Sequence, residues 1–465
     1  MTDPHRPSSR RRVILEDDID GFTPAQLLLL QSPDVQVLGI SAVSGNIWRD
    51  EALAHTCRLL ELAGHPQIPV LPGPVHPLLN SELATERWEA LYGKLVWKGA
   101  WTRHWVDGDT VQSAPRYHAH DVVPELALGN PSVVRPADEP AALFMLRMVR
   151  QYPGEVSIIA TGPLTNLALA QSLDPSFATL ARELVYMGGS LNPRQQRNSV
   201  SAQQFAREFV NSPRREFNIR WDPEAASIVM RAPWRQITMV PVDPSTATEL
   251  TAELLARMSA ADTTIGHALR RREPGFPMWD ELATAVWLRP DLATRTETLY
   301  VDTNTAFDAG YGDILSWAPG YQPGLGEQAQ TVVHAVDVPA FEQLLVDRLT
   351  APQPPAVGLP LPFSPSGRRS LSGEKRTAGR MRVRSPVALR CRLSRQSFTW
   401  KQMPGTSPTA VTASPNAASA PARVCDANAP MHAHRWRANL AFSLRERAVR
   451  SGRETARPAM TLLHD

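Results

Sequence analysis

Cysteine is nearly absent from this chain, with three in 465 residues, at positions 57, 391 and 425. So odd and scattered a set builds neither a disulfide framework nor a thiolate metal site, and a reducing compartment is expected. Cys57 falls inside a helical pattern and reads as a small core hydrophobe. The sequence also lacks any apolar run long enough to cross a bilayer. Its Arg-rich start, Arg10-Arg11-Arg12, leads straight into a strand without an apolar signal core. A cytoplasmic protein with no membrane partner is expected. Net charge is small, only +3, but unevenly spread. Residues 352–465 hold 19 Lys and Arg against 5 Asp and Glu, whereas residues 1–351 hold 30 against 41. The folded part is therefore acidic, and nucleic acid is not expected as its partner.

What the chain does have is alternation. Strand patterns at 12–15, 35–40, 68–71, 156–160, 184–187, 236–240 and 332–336 alternate with helical patterns at 24–30, 51–62, 141–149, 164–170, 251–270, 279–288 and 339–349. This predicts an α/β fold: an open, mainly parallel sheet flanked by helices on both faces. The stretch 72–134 breaks the rhythm with Trp88, Trp97, Trp101 and Trp105, and reads as an inserted lid or small helical subdomain. Residues 1–11 are expected to be a flexible N-terminus and 12–350 one domain. The basic Pro/Ser/Arg-rich stretch 352–465 is expected to be a mostly disordered tail, too poor in patterned apolar residues to offset chain entropy.

In an extended segment Glu216 and Asn218 would point to the same side, where a carboxylate and an amide can grip vicinal hydroxyls. Asp222-Pro223 then opens a helix, Asp as N-cap and Pro at its first position. As a bland alternative, the same residues describe a capped surface helix. Parallel sheets place their sites at the carboxyl ends of the strands. Four segments bring polar groups to such ends: Asp17-Asp18-Ile19-Asp20, Ser44-Gly45-Asn46, Thr161 to Asn166, and Met187-Gly188-Gly189.

Together with Val37-Leu38-Gly39-Ile40, Ile68 to Gly73, Tyr186-Met187 and Trp279-Asp280, these pieces resemble the nucleoside hydrolases that prefer inosine and uridine, over about residues 12–350. The resemblance implies hydrolysis of the N-glycosidic bond of a ribonucleoside or related N-riboside, by a homodimer or homotetramer. It implies a calcium ion among oxygen ligands and an aspartate that takes a proton from water. Carried over by position, Asp18 is the general base and a calcium ligand. Asp20, the Thr161 carbonyl and Asp280 are further calcium ligands. Asn46, Glu216 and Asn218 bind ribose hydroxyls, Met187 lies under the sugar, and Trp279 stacks on the base.

Two departures stand out. The family's Asp pair at the first helix start is missing: Asp17 or Asp18 takes the second Asp position, and Gly21, Phe22 or Thr23 stands where the pair should be. Trp279 replaces a His that protonates the departing base in purine-active relatives, leaving His104, His118 and His120 as candidate acids. Trp97, Trp101 and Trp105 are candidates for a stacking wall. Two rival readings follow from the same residues. One is a ribose-binding homologue without catalysis. The other is a haloacid-dehalogenase-like phosphatase with Asp18 as nucleophile and Asp20 as acid/base, using magnesium.

Overall fold

The computed structural model describes residues 10–19, 21, 23–103, 117–191 and 214–361. The sheet has nine strands: β1 (Arg11–Asp17), β2 (Val35–Ala42), β3 (Val70–Pro72), β4 (Val156–Ala160), β5 (Glu183–Met187), β6 (Ile237–Val240), β7 (Ala293–Thr303), β8 (Ile314–Trp317) and β9 (Gln328–Val336). They lie in the order β3-β2-β1-β4-β5-β6-β9-β7-β8. The run from β3 to β9 is parallel, and β7 pairs antiparallel with both β9 and β8. The expected parallel sheet is present. The antiparallel β7–β8 edge is an addition that the sequence pattern did not predict.

The period of two along each strand divides the core between the two faces. Val13, Leu15, Ile159, Val185, Met187 and Val240 pack on one face, against the helices Pro24–Leu30, Arg49–Ala63, Trp279–Leu288 and Val338–Leu349. Ile14, Ile158, Leu184, Tyr186 and Met239 pack on the other, against Ala141–Gln151, Thr165–Leu173 and Pro223–Arg231. Strands buried on both faces must be apolar throughout, which is why their sequences read as unbroken runs. Among the described residues no helix is long and apolar enough to cross a membrane.

Local chemistry sets the helix starts. The Thr23 hydroxyl accepts from Ala25 N, ahead of Pro24, as the sequence suggests. Asp222 likewise accepts from Ala225 N and caps Pro223–Arg231. The single helix expected over 251–270 is instead two, Ala252–Met258 and Thr264–Leu269. The Thr263 side chain accepts from Gly266 N and starts the second. The insertion contributes the helix Glu82–Tyr92, capped by Ser81, and a single 3-10 turn, Gly99–Trp101.

The stretch beginning at 352 is not free of the domain along its first ten residues. Val357 N donates to Glu61 O (2.8 Å) and Leu359 N to Ser132 Oγ (3.0 Å). Beneath them lies a buried ion pair, Arg58 to Glu61 at 2.9 Å. Arg58 also donates to Leu128 O and Pro360 O, while one Glu61 oxygen accepts from the backbone of Ser132, Val133 and Val134. Residues 362–465, most of the expected tail, lie outside the described residues. A buried guanidinium deprived of a carbonyl partner costs about 1.5–3 kcal/mol. A chain ending at Ala351 should therefore melt roughly 5 °C below one ending at Leu361. Scanning calorimetry of the two truncations checks this, and equal melting would contradict it.

Candidate active site

The order of the six strands from β3 to β6 makes the chain reverse direction between β1 and β4, and open sheets of this kind bind ligands in the crevice beyond that point. β1 ends there in Glu16 and Asp17, followed by Asp18, and all three side chains are buried. Gln26 Nε2 donates to one Asp17 oxygen (3.1 Å). Asp18 receives a hydrogen bond on each oxygen, from Asn46 N (2.7 Å) and Asn46 Nδ2 (3.3 Å). This grip needs glycine before Asn46, because a Cβ on Gly45 would lie 2.0 Å from Asp18 Oδ2.

β4 delivers Thr161. Its N–H and its hydroxyl both donate to Glu16 O (2.8 and 2.9 Å), which binds the two strand ends together. Its carbonyl accepts from Asn218 Nδ2 at 2.9 Å. The same amide nitrogen lies 3.3 Å from both the carbonyl oxygen and the sulfur of Met187, at the end of β5. Asn218 Oδ1 is buried and meets no hydrogen-bond donor among the described residues. An orphaned buried acceptor is uncommon and marks a place for a donor from outside the chain.

Glu216 is extended, at φ −136° and ψ 154°, but Asn218 is not, because a helix begins at Phe217. Glu216 is the N-cap of this short helix, Phe217–Trp221. Its carboxylate accepts from Asn218 N (2.9 Å), Gly189 N (3.0 Å) and Ile219 N (3.1 Å). The helix needed a cap, and that need bent the segment. Glu216 and Asn218 still meet in one buried place: Oε2 takes the Gly189 and Ile219 N–H groups, and Oε1, which takes the Asn218 N–H, keeps a second lone pair for a ligand. Asp222, one turn on, fastens this element from below. It accepts from Leu78 N (2.9 Å), Thr165 Oγ1 (2.7 Å) and Ala225 N (3.1 Å).

Asp280 comes from much later in the sequence, in the first turn of the helix Trp279–Leu288. Burial raises its pKa well above the usual range, and repulsion from Asp17, Glu281, Asp18 and Glu216 raises it further. The early acids, the late acid and the capping carboxylate thus share one electrostatic environment. Burial likewise raises Asp17 to about 7, and it raises Glu16 strongly, with Asp18 and Asp17 adding to the effect on Glu16. Among the described residues, the charged groups that act most strongly on Asp17, Glu16 and Asp280 are all acids. Such a set calls for a cation, and its donors are all oxygen, which suits a hard one. Among the described residues, no three His, Cys, Asp or Glu side chains converge closely enough to enclose a metal by themselves.

The remaining candidates fall in different places. Asp20, Phe22, His104 and Trp105 lie outside the described residues. Trp279 is half-buried against the core. Trp97 reaches the site, donating from Nε1 to Asn46 Oδ1 (2.8 Å). Trp101 stacks on Trp221 with ring centroids 3.8 Å apart, inside a small aromatic cluster with Trp48. His118 Nε2 faces Glu51 (2.9 Å) and its Nδ1 faces Ala119 O (2.9 Å). His120 packs on His76 and Trp48. Three residues of the site had no role in the sequence reading. Glu16 and Glu281 are buried acids next to residues that were singled out, and Asn166 is a buried amide that opposes the rise in the pKa of Glu16. Their only signal was adjacency or membership of a quoted motif.

Comparison with known proteins gives the family and the fold. Residues 13–343 match the sequence model of the family described as inosine-uridine preferring nucleoside hydrolase. An uncharacterized protein of Schizosaccharomyces pombe is 28% identical over 364 residues, covering 74% of this chain and 86% of that protein. Uridine nucleosidase 1 of Arabidopsis thaliana is 28% identical over 348 residues, covering 70% and 89% respectively. The solved structure of a plant nucleoside hydrolase has the same fold, with a TM-score of 0.56 at 24% identity over 74% of this chain and 99% of that one. The chain belongs to the inosine-uridine preferring nucleoside hydrolase family, whose members cleave N-ribosyl bonds. Membership replaces the phosphatase reading of Asp18 and Asp20.

The buried acids set a pH dependence. A carboxyl whose folded pKa is raised contributes stability that is full below its unfolded pKa and lost as pH rises through the folded value. For Asp17 that window runs from 3.8 to about 7, and the raised pKa values of Glu16 and Asp280 act in the same direction. Chelator-treated protein should therefore melt at a lower temperature at pH 7 than at pH 5. Thermal melts across this range check it, and a melting temperature that rises from pH 5 to 7 would contradict it.

Proposed function

We propose that this chain hydrolyses the N-glycosidic bond of a ribonucleoside in the crevice beyond β1, β2, β4 and β5, with calcium as its metal. One observation carries the reading: Asp17, Asp18, Glu216 and Asp280, far apart in the sequence, bear on one buried place. Beside it lies Asn218 Oδ1, an acceptor with no donor among the described residues.

The oxygen donors for calcium are Asp18, Asp20, the Thr161 carbonyl and Asp280. Bound there, calcium supplies Lewis acidity and offsets the crowded negative charge. The chain's own residues do the rest. Asn46, Glu216 and Asn218 fix the ribose through its hydroxyls, and Met187 supplies an apolar floor. Asp18, held by two N–H groups of Asn46, takes the proton from the attacking water. As the C–N bond breaks, positive charge spreads over the sugar ring, and the buried carboxylates around it stabilise that charge. Trp279 stacks on the base. An indole holds no proton to give as an acid near neutral pH, so Trp279 does not protonate the leaving group. Uridine is the first substrate to try, because curated relatives carry the names uridine nucleosidase and pyrimidine-specific ribonucleoside hydrolase.

Incubation with uridine and calcium should release ribose and free base, followed by reducing-sugar assay. A chain that binds nucleosides but releases no ribose is the non-catalytic homologue instead. Asp18→Ala should lower kcat by about 10²–10⁴-fold, the usual worth of a general base. Asp280→Ala should abolish both turnover and the rise in melting temperature on adding calcium. Unchanged values of both in Asp280→Ala would defeat the metal assignment.

A further inference from the structure

The insertion does more than cover the crevice. Its backbone is built against the turn that holds Asp18. Ala100 N donates to Gly45 O (2.9 Å), and a Cβ on Gly99, whose φ is +55°, would come within 2.1 Å of that same carbonyl. Arg220, from the helix capped by Glu216, donates to Trp97 O at 2.7 Å. Trp97 is therefore fixed from both sides of the site, and its indole N–H meets Asn46 Oδ1 at 2.8 Å.

An indole nitrogen can only donate, so the Asn46 atom it meets must be the amide oxygen. That contact settles which way the amide faces. Its nitrogen is left pointing at Asp18 Oδ1, 3.3 Å away. Were the amide to flip, its oxygen would confront a carboxylate oxygen and the hydrogen bond would become a repulsion. We propose that Trp97 is a positioning residue for hydrolysis: by holding the Asn46 amide in one orientation, it keeps Asn46 donating to Asp18. Trp97, Asn46 and Asp18 are thus linked in a relay of three side chains. This inference rests on the hydrolase reading, because it assigns Asp18 the proton from water.

The test is a double-mutant cycle on uridine hydrolysis with Trp97→Phe and Asn46→Ala. Trp97→Phe keeps a ring and removes the donor. It should lower kcat about tenfold while KM moves less than about threefold, and in the Asn46→Ala background it should change kcat less than about twofold. A residue that merely packs would give the same loss in both backgrounds, and that additivity overturns the proposal. So does a Trp97→Phe variant with wild-type kcat. Hydrogen exchange of the indole N–H, compared between wild type and an Asn46→Ala chain that melts cooperatively, supplies a readout besides activity. It should be at least about tenfold slower in the wild type than in Asn46→Ala, and equal rates overturn the contact. A wild-type chain that releases no ribose from any nucleoside overturns the hydrolase reading itself, an outcome distinct from a failed relay in an active enzyme.

Discussion

Repulsion among buried carboxylates is the constraint that organises this molecule. Glu16, Asp17 and Asp18 stand at the end of β1, beside the point where the strand order reverses, and Asp280 and Glu281 arrive beside them at a helix start. Taking several acids out of water together is costly unless they hold protons or gain a cation. The raised pKa values of Glu16, Asp17 and Asp280 express that cost. The surrounding structure supports the cluster at each point where it could give way. Thr161 ties β4 to β1 through Glu16 O, Gln26 holds Asp17, and Asn46 holds Asp18.

The second layer is built from backbone polarity. Glu216 satisfies three N–H groups, one from Gly189 and two from its own helix. Asp222 accepts two N–H groups, of Leu78 and Ala225, and the Thr165 hydroxyl. These carboxylates are structural fasteners as well as parts of the crevice wall. Their burial explains why a helix of only five residues, Phe217–Trp221, persists where an isolated one would not. The aromatic cluster of Trp48, Trp101 and Trp221 then seals the insertion onto that helix.

Much of this was legible in the sequence, because parallel strands buried on both faces leave plain apolar runs. β4 and the helix Trp279–Leu288 have the bounds read from the pattern. The β7–β8 edge was not legible: Thr294 to Thr298 is polar and largely exposed, so half of β7 carries no apolar signal, and β8 has only four residues. The helix break near Ser259 was missed because Thr263, the cap of the next helix, was read as interior. At the site, the acids and Asn46 announced themselves by following strands. The bend after Glu216 did not, because the demand of Ile219 and Gly189 for an acceptor is invisible until the fold exists. Trp97 was legible only as one of several tryptophans, since its contact with Asn46 spans 51 positions.

Proton release on calcium binding tests the central claim most directly. If the acids at the end of β1 are short of a cation, those still protonated at neutral pH must lose protons when calcium enters. Titration calorimetry of the chelator-treated chain at pH 7, in buffers of different ionisation enthalpy, reads this as a buffer-dependent heat. The account predicts binding with net proton release. Absence of binding, or binding with no proton exchange, would contradict it.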